Sequence, residues 1–213
     1  MMFGRLTTDP RRRALLLGAL VAVVTLLIGY GAGLLTPSLT APGDNSAEAG
    51  FARDMSTHHA QAVEMGMVAY QKATNDEVRQ LGYNIALTQQ AQIGMMSIWL
   101  KDWHLEPTGS RPKMAWMPNG SAELTPDGLM PGMATDAQLA ELHSATGKDV
   151  DILFCQLMLR HHLGGIHMID GVLQESHNDM VRQLAQTMKL NQQGDVDVLQ
   201  DLLAQLGAKP LGS

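Results

Sequence analysis

Cysteine, aromatic residues and positive charge are all scarce in this chain. One Cys in 213 residues excludes an intramolecular disulfide framework, a CxxC redox pair and a Cys-based zinc finger. Lys and Arg number 15 against 21 Asp and Glu, a formal charge of −6. No nucleic-acid partner is expected, because binding one needs a basic surface. Neither a P-loop nor a GxGxxG after a strand pattern occurs, so nucleotide chemistry has no motif to stand on. What the chain does carry is Met, 15 residues, and His, eight. Both side chains bind metals.

The first 35 residues read as a cytoplasmic N-terminus and a single-pass transmembrane helix. Arg11, Arg12 and Arg13 precede an uncharged apolar run from Ala14 to Leu35. A helix of that length spans about 33 Å, enough for the ~30 Å hydrocarbon layer of a bilayer. A cleaved signal peptide is the rival reading, but its apolar region usually covers only about 7–15 residues. In either case the arginines stay in the cytoplasm and the bulk of the chain is extracytoplasmic. Gly29 and Gly33 form a GxxxG spacing that fits the pairing of two anchors in a homodimer. Four of the basic residues and one acidic residue, Asp9, precede Thr36, leaving 11 basic against 20 acidic groups, or −9. Such a domain attracts cations. Residues 36–46, rich in Pro, Gly, Ser and Ala, read as a linker.

Beyond the linker the chain repeats itself once. Phe51-x3-Met55-x2-His58-His59-x5-Met65 recurs 103 residues later as Phe154-x3-Met158-x2-His161-His162-x5-Met168. The register continues without a gap: Asp76, Val78, Arg79, Gln80 and Leu81 match Asp179, Val181, Arg182, Gln183 and Leu184, and Gln89-Gln90 match Gln192-Gln193. Two copies are too few for a solenoid and fit a duplicated helical hairpin. In each copy, apolar residues at three- and four-residue spacing predict a first helix, over 47–73 and from Lys148 to about Glu175. Asn75 and Asn178, each followed by an acid, predict caps for second helices reaching about Leu100 and Leu206. Gly207 and Pro210 end the last one, before a tail at 207–213. Packed together, the hairpins make an all-α four-helix bundle over 47–206. Residues 104–134 carry several prolines and no periodicity, predicting a long loop. Thr135-x-x-Gln138 predicts a capped short helix over 135–146.

On a helix, Met55, His58 and Met65 fall within about an 80° arc, as do Met158, His161 and Met168. His59 and His162 lie on the other side of their methionines, so the pairs straddle the inward stripe. Pseudo-symmetric packing would gather four imidazoles and four thioethers. Imidazole suits Cu, Zn, Fe and Ni, and thioether sulfur favours Cu(I). His58, His59, His161, His162, Met55, Met65, Met158 and Met168 are therefore the candidate metal ligands, with copper the candidate ion and Cu(I) favoured over Cu(II) or Zn. The plainer reading of the methionines is core packing. Glu64 and His167 occupy equivalent positions and read as solvated. Cys155, in the place of Ala52, reads as a small buried hydrophobe. His104, His143 and His177 read as surface residues. Trp99, Trp103 and Trp116 read as packing anchors for the long loop, where Met114-x-x-Met117 and Met130-x-x-Met133 supply a looser set of soft ligands.

Phe51-x-x-Asp54-Met55-x-x-His58-His59-x-x-Ala62-Val63-x-Met65, Met130-Pro-Gly-Met133 and Met158-x-x-His161-His162-x-x-Gly165 resemble the bacterial DUF305 family over about residues 47–206. The resemblance implies an exported, ferritin-like helical bundle with the HH positions as ligands. Some members of that family are associated with copper binding or resistance. It implies no enzymatic activity. The sequence departs from the commoner second motif at Gly164-Gly165, each costing about 1 kcal/mol in mid-helix relative to Ala. Close backbone approach between the two HH helices is the expected compensation.

The leading expectation is a membrane-anchored, extracytoplasmic copper-binding protein that buffers or delivers the ion. A non-metal interaction module, or accessory subunit of a membrane complex, is the alternative. A ferritin-like redox enzyme is a further one, but its di-iron sites need Glu-x-x-His, which this sequence lacks throughout. No catalytic residues are assigned: Ser56 and His59 have no orienting acid or oxyanion hole beside them.

Overall fold

The computed structural model describes residues 10–211, with backbone only for 34–40. Arg5 and Asp9, counted in the charge above, lie outside the described residues. The chain divides into two units, Met1–Ala41 and Pro42–Ser213. The described part of the first is one helix, α1 (Pro10–Thr40). Its stretch Pro10–Gly33 is long and apolar enough to cross a membrane, and no part of it is buried. Helix continues to Thr40, so the segment outside helices is 41–46, narrower than the expected linker at 36–46.

The second unit is all helical, and no strand occurs among the described residues. Its long helices are α2 (Ala47–Lys72), α3 (Asp76–Asp102), α5 (Lys148–Glu175) and α6 (Asp179–Leu206); α4 (Asp136–Ser144) is short. All but α5, which begins at Gly147, start where a side chain meets otherwise orphaned amides. Ser46 Oγ accepts from Ala49 N at 3.1 Å. Asn75 Oδ1 accepts from Glu77 N and Val78 N, and Asn178 Oδ1 does the same for Met180 N and Val181 N. Thr135 and Gln138 close a reciprocal capping box on α4. Gly207, at φ 69°, terminates α6 in the left-handed conformation that glycine adopts without strain.

Three-residue connections (73–75 and 176–178) force α2/α3 and α5/α6 into antiparallel hairpins. The α2/α3 crossing is tight, since a Cβ on Gly66 would sit 2.6 Å from the Gly82 carbonyl oxygen. The hairpins join along α2 and α5, and the joint obeys the repeat. Buried Asp151, in the first turn of α5, accepts from Thr74 N (2.9 Å) and Thr74 Oγ1 (2.5 Å) in the turn of the other hairpin. Glu48, 103 residues earlier in the first turn of α2, accepts from Ser176 Oγ at 2.6 Å. Arg79 and Arg182 donate to the Ala73 and Ser176 carbonyls of their own turns. Helices α2 and α5 are therefore antiparallel, with a pseudo-two-fold relation between the halves and a clasp at either end.

One end of the bundle is an apolar cluster including Met65, Val78, Phe154, Leu157, Met158, Leu199 and Leu203. The long loop covers the other side through a buried carboxylate. Asp54 Oδ2 accepts from Met114 N (2.7 Å) and Trp116 Nε1 (2.8 Å), and Phe51 meets the Trp116 ring edge-on at 5.7 Å. Burial raises the Asp54 pKa, and those two hydrogen bonds pull it back down. Trp99 and Trp103 are also buried and stack at 6.0 Å.

Candidate metal centre

All four motif histidines are buried, none more than 1% exposed. The rings of His58 on α2 and His161 on α5 lie against each other, tilted by 35°, with centroids 3.8 Å apart, and the His161 and His162 rings are 6.3 Å apart. The two HH motifs therefore form one cluster at the α2/α5 seam, between the two clasps.

Their hydrogen bonds fix which nitrogens remain bare. His58 Nε2–H donates to the Pro131 carbonyl at 3.1 Å, because a carbonyl can only accept. His59 Nε2–H donates to Gln92 Oε1 at 2.8 Å. His162 Nε2–H donates to Asp195 Oδ2 at 3.1 Å. In a neutral imidazole with Nε2 protonated, Nδ1 keeps its lone pair. The Nδ1 atoms of His58, His59 and His162 are buried without a partner, as are both ring nitrogens of His161. Burial also keeps the rings of His58, His59 and His161 uncharged. It lowers His58 to about 4 and, aided by the His58 charge, His59 to about 3. His161 falls well below its ordinary value for the same reason, with repulsion from the other three histidines adding to burial.

The Met130–Met133 segment roofs this cluster. Gly132, at φ 80°, lies so close to α5 that a Cβ there would be 2.4 Å from the Arg160 carbonyl oxygen. Gln61 pins the next residue with two bonds, donating to Ala134 O (3.0 Å) and accepting from Ala134 N (2.7 Å). Arg160 reaches Met133 O and Gln138 Oε1. Gly164 and Gly165 do not serve the approach of α2 to α5 expected from sequence. A Cβ on Gly164 would lie 2.0 Å from the Pro131 carbonyl oxygen, and one on Gly165 2.4 Å from Gln192 Oε1. The first glycine admits the roof, and the second admits a side chain of α6.

Met55, Met65, Met158 and Met168 are all fully buried, and Met65 and Met158 pack in the apolar cluster at one end. Met114, Met117 and Met130 are buried as well, while Met133 is half-buried. Glu64 and His167 lie outside the cluster, in partly exposed pairs with His143 and Glu123. Cys155 is buried in the apolar core, where desolvation lifts its thiol to about 12. His104, His143 and His177 are exposed. Sequence reasoning missed Gln92 and Asp195. They are 103 residues apart, and extending the repeat past identical residues would have paired them. Gln89 and Gln192, matched by the repeat but assigned no role there, are buried with unpaired amide atoms.

Among the described residues, no three His, Cys, Asp or Glu side chains close into a metal-holding group. The donor set nonetheless fits a borderline or soft ion: imidazoles fixed through one nitrogen by a carbonyl, an amide or a carboxylate and bare at the other are how metal-binding histidines are normally presented.

An exclusively helical second unit made of two related hairpins, with paired histidines buried at their seam, defines a duplicated four-helix bundle with a polar centre. Residues 48–203 match the model of the family described as "Domain of unknown function (DUF305)", and the chain belongs to that family. It is similar to a DUF305 protein from Streptomyces coelicolor, described as a candidate secreted protein. The identity is 41% and the TM-score 0.72, over 80% of this chain and all of that one. A DUF305 fragment from Deinococcus radiodurans matches at 27% identity and TM-score 0.62, over 75% of this chain and 96% of that one. CopM, solved in Cu(I)- and Cu(II)-bound forms, shares the fold at 22% and 23% identity and TM-scores of 0.56 and 0.60. Those matches span 75% of this chain and 96–97% of CopM. No curated protein sequence matches the chain.

Proposed function

We propose that this DUF305 domain binds copper at His58, His59, His161 and His162, with Met55, Met65, Met158 and Met168 as soft partners. In this reading α1 anchors it to the membrane with the bundle on the extracytoplasmic side, where it buffers or delivers the ion. The observation that carries the reading is the set of buried, unpartnered Nδ1 lone pairs on His58, His59 and His162. An unpartnered buried polar atom costs about 1–3 kcal/mol, and four neighbouring histidines share the condition. Copper as the ion draws support from imidazole chemistry, from the many methionines and from the copper-bound forms of a protein with the same fold.

The test is a Cu(I) competition titration on the full chain in detergent, beside a variant with all four histidines changed to Ala. Circular dichroism on both checks the helices. Tight binding that disappears in a still-helical variant is the expected result. Equal, weak binding by both would overturn the proposal and leave the histidines as architecture for an interaction module.

A further inference from the structure

The two halves of the centre are related by the repeat but do not have the same partner. His59 is held by the amide of Gln92, and its counterpart His162 by the carboxylate of Asp195. Gln92 is buried. The side chain of Asp195 is 28% exposed and lines a groove between α3 and α6 with Asn84, Thr88, Leu190 and Val198. His58 has only the neutral Pro131 carbonyl, and His161 has no partner. Among the described residues, Asp195 is thus the one negative group hydrogen-bonded to any of the four imidazoles.

We propose that Asp195 is a positioning residue that makes the centre unequal, so that the half built on His162 favours the doubly charged copper ion and the half built on His59 the singly charged one. The inference rests on the copper reading above. Two physical effects carry it. A carboxylate behind an imidazole fixes its tautomer and raises its basicity as a ligand, more than an amide does. A cation taken into a buried site also needs a counter-charge, and at a given distance a fixed negative charge attracts a 2+ ion twice as strongly as a 1+ ion. Asp195 supplies both effects on one side of the pseudo-two-fold relation. Its isosteric replacement by Asn abolishes them with little change of shape.

The experiment uses the full chain in detergent, its Asp195→Asn variant and the reciprocal Gln92→Glu variant. Cu(I) and Cu(II) affinities are measured by competition, and the copper midpoint potential by spectroelectrochemistry. Asp195→Asn is expected to lose about 10–100-fold in Cu(II) affinity and roughly tenfold less in Cu(I) affinity, raising the potential by about 59 mV for a one-electron couple. Gln92→Glu should lower it. Equal losses for both ions in Asp195→Asn, with an unchanged potential, would mean that Asp195 merely holds the fold and would overturn this inference while the copper reading stands. No copper binding by the unaltered chain would overturn both. Should Asp195→Asn not fold, Gln92→Glu decides: an unmoved potential rejects the asymmetry.

Discussion

Gly164→Ala and Gly194→Ala are the same chemical change in the middle of two long helices, yet the structure predicts effects of opposite sign. At Gly194, an exposed position on α6, a new methyl meets nothing within 4 Å. The substitution there gains the ordinary helix preference of Ala over Gly, about 1 kcal/mol. At Gly164 the methyl arrives 2.0 Å from the Pro131 carbonyl oxygen, 2.3 Å from its carbon and 2.7 Å from Gly132 N, all backbone atoms. Ordinary contact begins near 3.4 Å, so the roof must withdraw by more than an ångström. That movement breaks the bond from His58 Nε2. Overpacking costs about 1–3 kcal/mol and the hydrogen bond about 0.5–1.5 kcal/mol. Set against the same propensity gain, Gly164→Ala should destabilise by about 0.5–3.5 kcal/mol. Urea denaturation followed by circular dichroism places both variants against the parent chain. A Gly164→Ala midpoint at or above that of Gly194→Ala would refute the account of the roof.

Three further outcomes follow from the buried polar groups. The metal-free protein should weaken in mild acid. His58 and His59, lowered to about 4 and about 3 when folded, titrate near 6.5 when unfolded, so the unfolded chain binds more protons between those values. Stability is therefore full above pH 6.5 and falls as pH drops toward 4, by up to about 1.4 kcal/mol per pH unit for each histidine; a denaturation midpoint flat from pH 7 to 4.5 would contradict the burial. Asp54→Ala orphans Met114 N and Trp116 Nε1, costing about 1–3 kcal/mol for each donor left dry, and should shift tryptophan emission to the red. Cys155, buried with its thiol raised to about 12, should resist a disulfide reagent until the bundle is unfolded; rapid labelling of the native protein would show that the core is not closed there.

Much of this architecture is legible in the sequence because the repeat and the helix caps are local signals. Asn75, Asn178, Thr135 and Gly207 do at α3, α6, α4 and the end of α6 what their types predict. The 103-residue register foreshadows the equivalent hairpins, though their clasps use unlike acids, Glu48 and Asp151. The rest depends on contacts distant in sequence. The 104–134 loop has no periodicity because its order comes from elsewhere: Asp54 organises Met114 and Trp116 from 60 and 62 residues away. The role of Gly164 was illegible for the same reason, since its neighbour is a loop carbonyl and no pattern on α5 announces it. Gln92 and Asp195 escaped notice because they differ in charge. A search for identical residues passes over a pair whose members differ in charge.

The seam between α2 and α5 has a consequence for how the bundle forms and comes apart. Each hairpin closes through contacts near in sequence, the kind that form fast, whereas His58 and His161 meet only when the two halves have docked. A ligand held across that junction would act as a staple on the docked state, adding RT ln(1 + [L]/Kd) to its stability. Because docking follows hairpin closure, most of that gain would appear as slower unfolding and little as faster folding. Occupancy of the centre would thus be recorded as the lifetime of the folded bundle.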